Sequence, residues 1–314
     1  MISLRQHTIS IAAIFFALAL GIVLGSQTIA SDLLSGLRDD RADLQDQVDT
    51  LQAENAQLQL QVGAADGFDA AAAGRIVANT LAQRSVVVFT TPDADPADLD
   101  AVTRVIEQAG GTVTGKVALT DAFVDVSSGD RLRTTLTNVI PAGVQLRTGA
   151  VDQGSLAGDL LGSVLLLDAQ NAQPQSSPQE TALAMDTLRG GGFVSYDGNT
   201  VRPAQLALVL TGNGAEGNDG NRGSVVSRFA AALDGRGAGA LLAGRPGAAE
   251  GSGPIAVSRA DAALAGAAST IDNVDREAGR ITVALALQEQ LNGGTGRYGT
   301  GPNATAVTVG ANPS

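Results

Sequence analysis

The chain has 314 residues, enough for one large or two modest domains in addition to a membrane anchor. Its formal net charge is −12, whereas a nucleic-acid binder needs a basic face, so we predict no nucleic-acid partner. The sequence has no cysteine and one histidine, His7, which excludes disulfides, Cys nucleophiles and, beyond the N-terminus, both a Ser-His-Asp triad and His-ligated zinc.

The first element is the apolar N-terminus, MISLRQHTISIAAIFFALALGIVLGSQTIASD. Residues 8–29 carry no charged side chain, and a helix needs about 20 apolar residues to cross a bilayer. We predict that residues 1–30 are a single-pass anchor in the cytoplasmic membrane; a cleaved signal peptide ending before Ser31 is the alternative. Arg5 precedes the apolar run and Asp32 is the first charge after it. The positive-inside rule therefore predicts a cytoplasmic N-terminus, with the remaining chain in the periplasm or cell envelope.

A leucine at every seventh residue follows in LRDDRADLQDQVDTLQAENAQLQLQV. With these leucines at position d, an a/d seam continues for about four heptads and predicts a coiled coil over residues 31–63. Asn55 at an a position is typical of a parallel pair, because one buried amide fixes the register. The simplest partner is a second copy; an amphipathic helix packed on the chain's own domain is the alternative. The predicted interface residues are Leu34, Leu37, Leu44, Val48, Leu51, Asn55, Leu58 and Val62.

From residue 64, apolar runs of strand length alternate with helical segments. Because strands alternate with helices, we predict an α/β domain with a mostly parallel sheet over residues 64–292. Residues 293–314 are rich in Gly, Thr and Asn, which predicts a flexible tail. The predicted strands lie at 85–90, 112–119, 192–196, 206–212 and 239–244. The predicted helices lie at 96–109, 129–139, 157–167, 179–189 and 224–233, and 278–291 fits a strand or a helix, with the NGG after it favouring the helix.

Acidic residues directly follow the first predicted strand, at positions 93, 95, 98 and 100. Ligands of parallel sheets bind beyond the carboxyl ends of strands, so a paired-carboxylate or magnesium site is one interpretation. Capping is the favoured interpretation, because Asp95 and Asp98 suit the start of a helix whose first residue is Pro96.

Two glycine-containing loops follow later predicted strands. Gly212, Gly214 and Gly217 have the G-x-G-x-x-G spacing, but the next helix is predicted to open only at Ser224, so an ordinary loop is favoured over a dinucleotide fingerprint. Arg245 could hold an anion, although a polar turn is the simpler interpretation. These loops and the acidic one are predicted to share a candidate crevice at one sheet edge, formed by Asp93, Gly212, Gly214 and Arg245.

Several long segments resemble one known family. They are MISLRQHTISIAAIFFALALGIVLGS at the start, VDQGSLAGDLLG, SRFAAALDGRGAGALLAGR, AVSRADA and GRITVALALQEQLNGG. In this order they resemble the MctB copper-transport family of mycolic-acid-bearing actinobacteria. The resemblance implies an envelope protein of copper efflux or homeostasis, proposed as a channel, with copper as the transported ion. It also implies links to envelope integrity and cell separation, and it supplies no catalytic residues.

The residues themselves fit a direct copper role poorly. Cu(I) prefers thiolate, thioether and imidazole ligands, and beyond the anchor the sequence offers only Met185. Wide β-barrels need alternating strands and aromatic girdles, whereas this chain has no Trp and two Tyr. We therefore predict no resident cofactor and no enzyme. Two hypotheses remain: a copper-transport component, associated with the cytoplasmic or outer membrane, or a homo-oligomeric scaffold that binds cell-envelope or cell-division proteins.

Overall fold

The structure is a computed structural model that describes residues 4–147, 149–198, 201–214 and 221–311, without the side chains at 4–5 and 26–40. The chain divides into two units, residues 1–65 and 66–314. The helices of the described part are α1 (Leu4–Ile76), α2 (Pro96–Gln108), α3 (Asp121–Val124), α4 (Gly129–Thr137), α5 (Gln153–Leu165), α6 (Pro178–Gly190), α7 (Arg222–Asp234), α8 (Pro254–Ala260), α9 (Ala262–Ala265) and α10 (Glu277–Leu291). Its strands are β1 (Ser85–Thr90), β2 (Thr112–Leu119), β3 (Val194–Ser195), β4 (Leu206–Leu210), β5 (Ala240–Ala243), β6 (Ser269–Ile271) and β7 (Arg297–Tyr298).

The first unit carries the two N-terminal features of the sequence, both within α1. Gln6–Gly25 has a mean hydropathy of 2.5 and is long enough to cross a bilayer, which is consistent with a single-pass anchor. Leu34 and Leu37 lie outside the residues whose side chains are described. A single chain does not test the pairing, which stays a prediction. The other predicted seam residues are all exposed: Leu44, Val48, Leu51, Asn55, Leu58 and Val62.

The second unit is built on a seven-stranded sheet with the order β3-β2-β1-β4-β5-β6-β7. Strand β3 is antiparallel to β2, and every other pair of neighbours in this sheet is parallel. The predicted α/β class with a mostly parallel sheet is confirmed. The chain moves from β1 outward to β3 and then, starting again at β4, outward to β7. The strand order therefore reverses between β1 and β4, which is the switch point where open parallel sheets bind ligands.

The central strands send alternate side chains to opposite faces of the sheet, and each face has its own hydrophobic core. Val87 and Phe89 of β1 belong to the core that contains α5 and α7. Val86 and Val88 belong to the core that contains α2 and α10. Phe229 of α7 packs edge-on against Phe89, with 5.2 Å between ring centroids. Because helices cover both faces, the interior positions of these strands are apolar, which is why the sequence pattern identifies them.

The C-terminal segment differs from the predicted flexible tail. Arg297–Tyr298 pair in parallel with β6, and Tyr298 is buried. The prediction of a loose tail is therefore wrong for these residues; 312–314 lie outside the described part. The glycines there serve close packing: a Cβ at Gly301 would lie 2.9 Å from a carboxylate oxygen of buried Asp272.

Some helix starts also differ from the predicted ones. Helix α5 begins at Gln153, four residues before the predicted start, because Asp152 caps it by accepting from the Ser155 N–H at 2.9 Å. Helix α7 begins at Arg222, so Ser224 lies inside it rather than at its cap. The ambiguous segment 278–291 is helical, as the NGG that follows it favours.

Asp234, the last residue of α7, gives a prediction about pH. Its carboxylate accepts from the Ala240 N–H at 3.0 Å, and burial raises its pKa from 3.8 to about 6. A group whose pKa is higher in the folded state contributes stability that is complete below pH 3.8 and is lost as pH rises through 6. We therefore expect Asp234→Asn to raise the free energy of unfolding by roughly 1–2 kcal/mol at pH 8 and by much less at pH 4.

Urea denaturation at pH 4 and pH 8 measures this difference. Glu107→Gln, at an exposed position of α2, is the control and should behave alike at both pH values. If Asp234→Asn has the same small effect on stability at pH 4 and at pH 8, burial does not raise the pKa of the Asp234 carboxyl group.

Candidate functional site

The carboxylate of Asp93 joins the ends of the two strands at the switch point. Asp93 follows β1, and its Oδ1 accepts from the Thr91 hydroxyl at 2.5 Å and from the Thr211 hydroxyl at 3.3 Å. Its Oδ2 accepts from the backbone N–H of Gly214 at 3.0 Å. Thr211 and Gly214 follow β4, so one side chain holds both loops in place.

The other predicted crevice residues lie beside Asp93. Gly212 approaches so closely that a Cβ there would collide with the carbonyl oxygen of Asp93. The carbonyl of Gly212 accepts from the backbone N–H of Arg245, which follows β5, at 3.0 Å. Gly214 has a φ of +84°, a left-handed conformation that favours glycine. The structure thus brings all four predicted residues together, while their role in ligand binding stays a prediction.

Arg245 does not present a free cation to an anionic ligand. Its guanidinium group donates to Asp98 Oδ2 and to Asp95 Oδ2, both at 2.6 Å. The hydrogen bond to Asp98 raises the pKa of Arg245 further above its ordinary value. Asp98 is buried and also accepts from Arg280 of α10 at 3.1 Å. Arg245 therefore connects β5 to the start of α2, and Asp98 connects both to α10.

The acidic residues after β1 have structural partners. Asp95 caps α2 by accepting from the Ala97 N–H at 2.9 Å, which confirms the capping interpretation for this residue. Asp100 lies 3.7 Å from the ammonium group of Lys116. Across the described ranges, no group of three or more His, Cys, Asp or Glu side chains is placed to hold a metal ion. The paired-carboxylate and magnesium interpretations thus gain no support from this geometry.

A cavity of about 270 Å³ opens beside Asp93. Arg222, the first residue of α7, faces it and forms ion pairs with Asp121 at 3.1 Å and with Asp125. The sequence analysis missed Arg222, although its position at the start of the helix that follows a switch-point strand could have indicated it. Gly217 of the G-x-G-x-x-G spacing lies outside the described residues. The cavity wall is formed mainly by Thr91, Asp93, Asp121, Val124, Thr211, Arg222, Val226 and Pro254.

These features define a class of protein: a doubly wound α/β domain preceded by a helix long enough to span a membrane, with a switch-point cleft whose charged groups pair with one another. Within that class, the chain belongs to the MctB family, which is described as copper transport outer membrane protein and whose profile matches residues 1–309. The resemblance indicated by the sequence segments is thereby confirmed.

Two relatives illustrate how far the similarity extends. The copper transporter MctB of Mycobacterium tuberculosis is 47% identical over 312 residues, which cover 98% of this chain and 99% of that protein. The copper transporter MctB of Mycobacterium leprae is 49% identical over 315 residues, with the same coverage of both chains. The family is one of copper transport rather than a class of enzymes.

The donor atoms of this chain suit Cu(I) poorly. Met185 is 3% exposed and belongs to the hydrophobic core beneath α6, so its thioether has few open positions for a metal. His7 is exposed at the start of α1, next to the apolar segment. A selective Cu(I) site needs two or more soft ligands, and beyond the anchor the sequence offers Met185 alone. The metal-binding residues therefore stay unassigned.

Proposed function

We propose that this protein serves copper transport as a membrane-anchored subunit whose copies assemble through α1, and that copper passes between copies or through a partner protein. The family match over residues 1–309 is the observation on which the proposal depends. Copper is cargo in this scheme. The proposal does not require the side chains of one copy to hold it.

The anchor supports a location at the membrane. Residues 6–25 are predominantly apolar, and all of them are exposed except Gly25, which is half-buried; bilayer contact stabilises exposed apolar side chains. Arg5 before the segment and Asp32 after it favour a cytoplasmic N-terminus and a periplasmic second unit. The family description names the outer membrane, so association with that membrane is also part of the proposal. The cleaved-signal alternative would instead release the remaining chain.

The exposed seam supports assembly. Leu44, Leu51 and Leu58 are 62%, 64% and 60% exposed, and they recur every seven residues on one stripe of the helix. Covering these side chains with a second copy removes apolar surface from water, at about 25 cal/mol per Å². Two copies anchored in one membrane also raise each other's effective concentration, which compensates for a short coiled coil.

A pair of leucines allows a matched test of the seam. We expect Leu58→Asp to abolish self-association, because a charge at a buried d position must be desolvated. Leu60→Asp should leave self-association intact, because Leu60 lies off the seam and is 76% exposed. Cross-linking in membranes measures assembly, and copper accumulation in cells that lack their own copy measures transport.

The paired readouts separate the two candidate functions. If Leu58→Asp loses both assembly and copper efflux while Leu60→Asp retains both, the transport proposal is supported. If Leu58→Asp loses assembly and cell separation but copper content is unchanged, the exposed seam serves a scaffold for envelope or division proteins. Equal assembly in the two variants would show that the leucine repeat is not an interface.

A further inference from the structure

A second cavity, of about 440 Å³, lies beside β3 at the opposite end of the sheet order from β7. Helix α6 forms one side of it, and residues within 174–176, 196–198 and 201–203 form the others. Its volume falls within the range of about 300–1,000 Å³ that is typical of small-molecule pockets. The apolar part of its wall comes from Pro174, Pro178, Ala182, Met185, Val201 and Pro203.

The wall next to β2 is held in place by the sheet. The backbone N–H of Arg202 donates to the Thr114 carbonyl at 3.0 Å, so residue 202 is fixed to β2. Val201 packs on Gly115, where a Cβ would lie 2.9 Å from the Val201 Cα. The cavity therefore has a rigid wall rather than a loose loop on this side.

Most charged groups at the rim are already paired. Asp186 accepts from Arg189 at 2.7 Å and from the Tyr196 hydroxyl at 3.0 Å. Arg189 also lies over the Tyr196 ring, 4.7 Å from its centroid. The polar groups of these three side chains therefore pair with one another at the rim of the apolar cavity.

Arg202 is the exception at this rim. Its side chain is exposed, lines the cavity and has no carboxylate partner among the described residues. An arginine without a carboxylate partner beside an apolar cavity is an attractive position for an anion. Met185 forms part of the apolar wall, and its flexible thioether side chain adapts well to acyl chains of different shape.

We propose that this cavity binds a single-chain amphiphile, whose acyl chain lies against Met185 and the three prolines and whose carboxylate pairs with Arg202. This site is separate from the cavity beside Asp93, and the proposal does not depend on the copper-transport proposal. Apolar burial supplies the affinity, and the charge-assisted hydrogen bonds to Arg202 select an anionic head group over a neutral one.

The test uses the full-length chain in amphipol and the fluorescent probe 11-(dansylamino)undecanoate. We expect saturable binding that dodecanoate displaces and dodecanol displaces roughly tenfold less well, because only the acid pairs with Arg202. Arg202→Gln should weaken the binding of the probe roughly tenfold, whereas Arg133→Gln, at an exposed position of α4, should not.

A second pair of variants tests the location. Ala182→Trp places a large side chain in the cavity and should abolish probe binding. Leu183→Trp changes the adjacent residue, which is 61% exposed and is not part of the wall, and should leave binding unchanged. Circular dichroism confirms that each variant is folded. If all four variants and the wild type bind the probe equally, the probe does not bind in this cavity. If dodecanoate and dodecanol displace the probe equally, the carboxylate does not pair with Arg202.

Discussion

Gly158→Ala is expected to lower the free energy of unfolding by about 2–3 kcal/mol, because helices α5 and α7 leave no room for a side chain there. A Cβ at Gly158 would collide with the carbonyl oxygen of Phe229 and would lie 2.7 Å from the Ala232 Cβ. Both obstacles belong to the backbone or to a Cβ, so neither can rotate away. The helices must separate, and the packing of Phe229 against Phe89 is then disturbed.

The same contact recurs along α5. A Cβ at Gly154 would meet the carbonyl of Val225, and a Cβ at Gly162 would lie 2.6 Å from the Arg236 Cβ. Glycines at every fourth residue lie on one stripe of a helix, which lets two helices approach closely. Arg236 then donates to the buried carboxylate of Asp159 at 2.6 and 2.8 Å. Separation of the helices would weaken this ion pair as well as the apolar contacts.

Gly74→Ala is the control for this prediction. Gly74 lies in α1 within the second unit, and a Cβ there would have no atom within 4 Å. Alanine in a helix is more favourable than glycine by about 0.5–1 kcal/mol, so this variant should be slightly more stable than the wild type. Thermal and urea denaturation measure both variants. If the two substitutions change stability in the same direction, close helix packing at Gly158 does not limit stability.

The sequence was sufficient to predict the central strands and the α/β class with a mostly parallel sheet. Residues 86–89 and 206–210 are apolar at every position, because both faces of these strands are covered. The loops that follow them were therefore placed correctly at one edge of the sheet. Asp93 and Gly214 could be paired on this basis, although their hydrogen bond could not be foreseen.

The short outer strands could not be predicted in this way. Strand β6 has three residues, two of them polar, and β7 has two residues in a glycine-rich segment. Their stability comes from tertiary contacts with distant residues rather than from a local pattern. Arg245 shows the same limit at the site. Its position after β5 was compatible with an anion site or, more simply, a polar turn, and neither interpretation identifies its partners Asp95 and Asp98, which lie about 150 residues away in the chain.

Two of the segments that resemble the MctB family contain residues that pack the interior of the fold. VDQGSLAGDLLG contains the glycines that pack α5 on α7, and AVSRADA contains Arg259, which is fully buried. Neither segment contributes to the wall of the switch-point cavity. In this chain, the segments that resemble the family therefore contain residues that hold the fold together.

Arg259→Met is expected to destabilise the second unit by about 3–5 kcal/mol, because it leaves the buried carboxylate of Asp272 without its cation. Arg259 and Asp272 are both fully buried, and their side chains are 2.6 Å apart. Burial lowers the pKa of Arg259 from its ordinary value, and the hydrogen bond to Asp272 opposes that shift. Removing one partner costs more than the pair contributes, since an unpaired buried charge remains.

The same pair holds the C-terminal strand. Arg259 donates to the carbonyls of Tyr298 at 2.8 Å and Pro302 at 3.0 Å, and Asp272 accepts from the backbone N–H of Thr300 at 2.8 Å. We therefore expect Arg259→Met to expose residues 297–311 to proteases at concentrations that leave the wild type intact. Protection of this segment from hydrogen exchange should decrease with it.

The control is Arg133→Met, because Arg133 forms an exposed ion pair with Asp130 within α4. Such pairs contribute about 0–1 kcal/mol, so this variant should resist proteolysis as the wild type does. The double variant Arg259→Met/Asp272→Asn removes both charges and should be more stable than Arg259→Met alone, because no unpaired buried charge remains. If the double variant is the less stable of the two, the cost of Arg259→Met comes from lost packing and backbone contacts. The buried carboxylate would then not be the reason why this segment depends on Arg259.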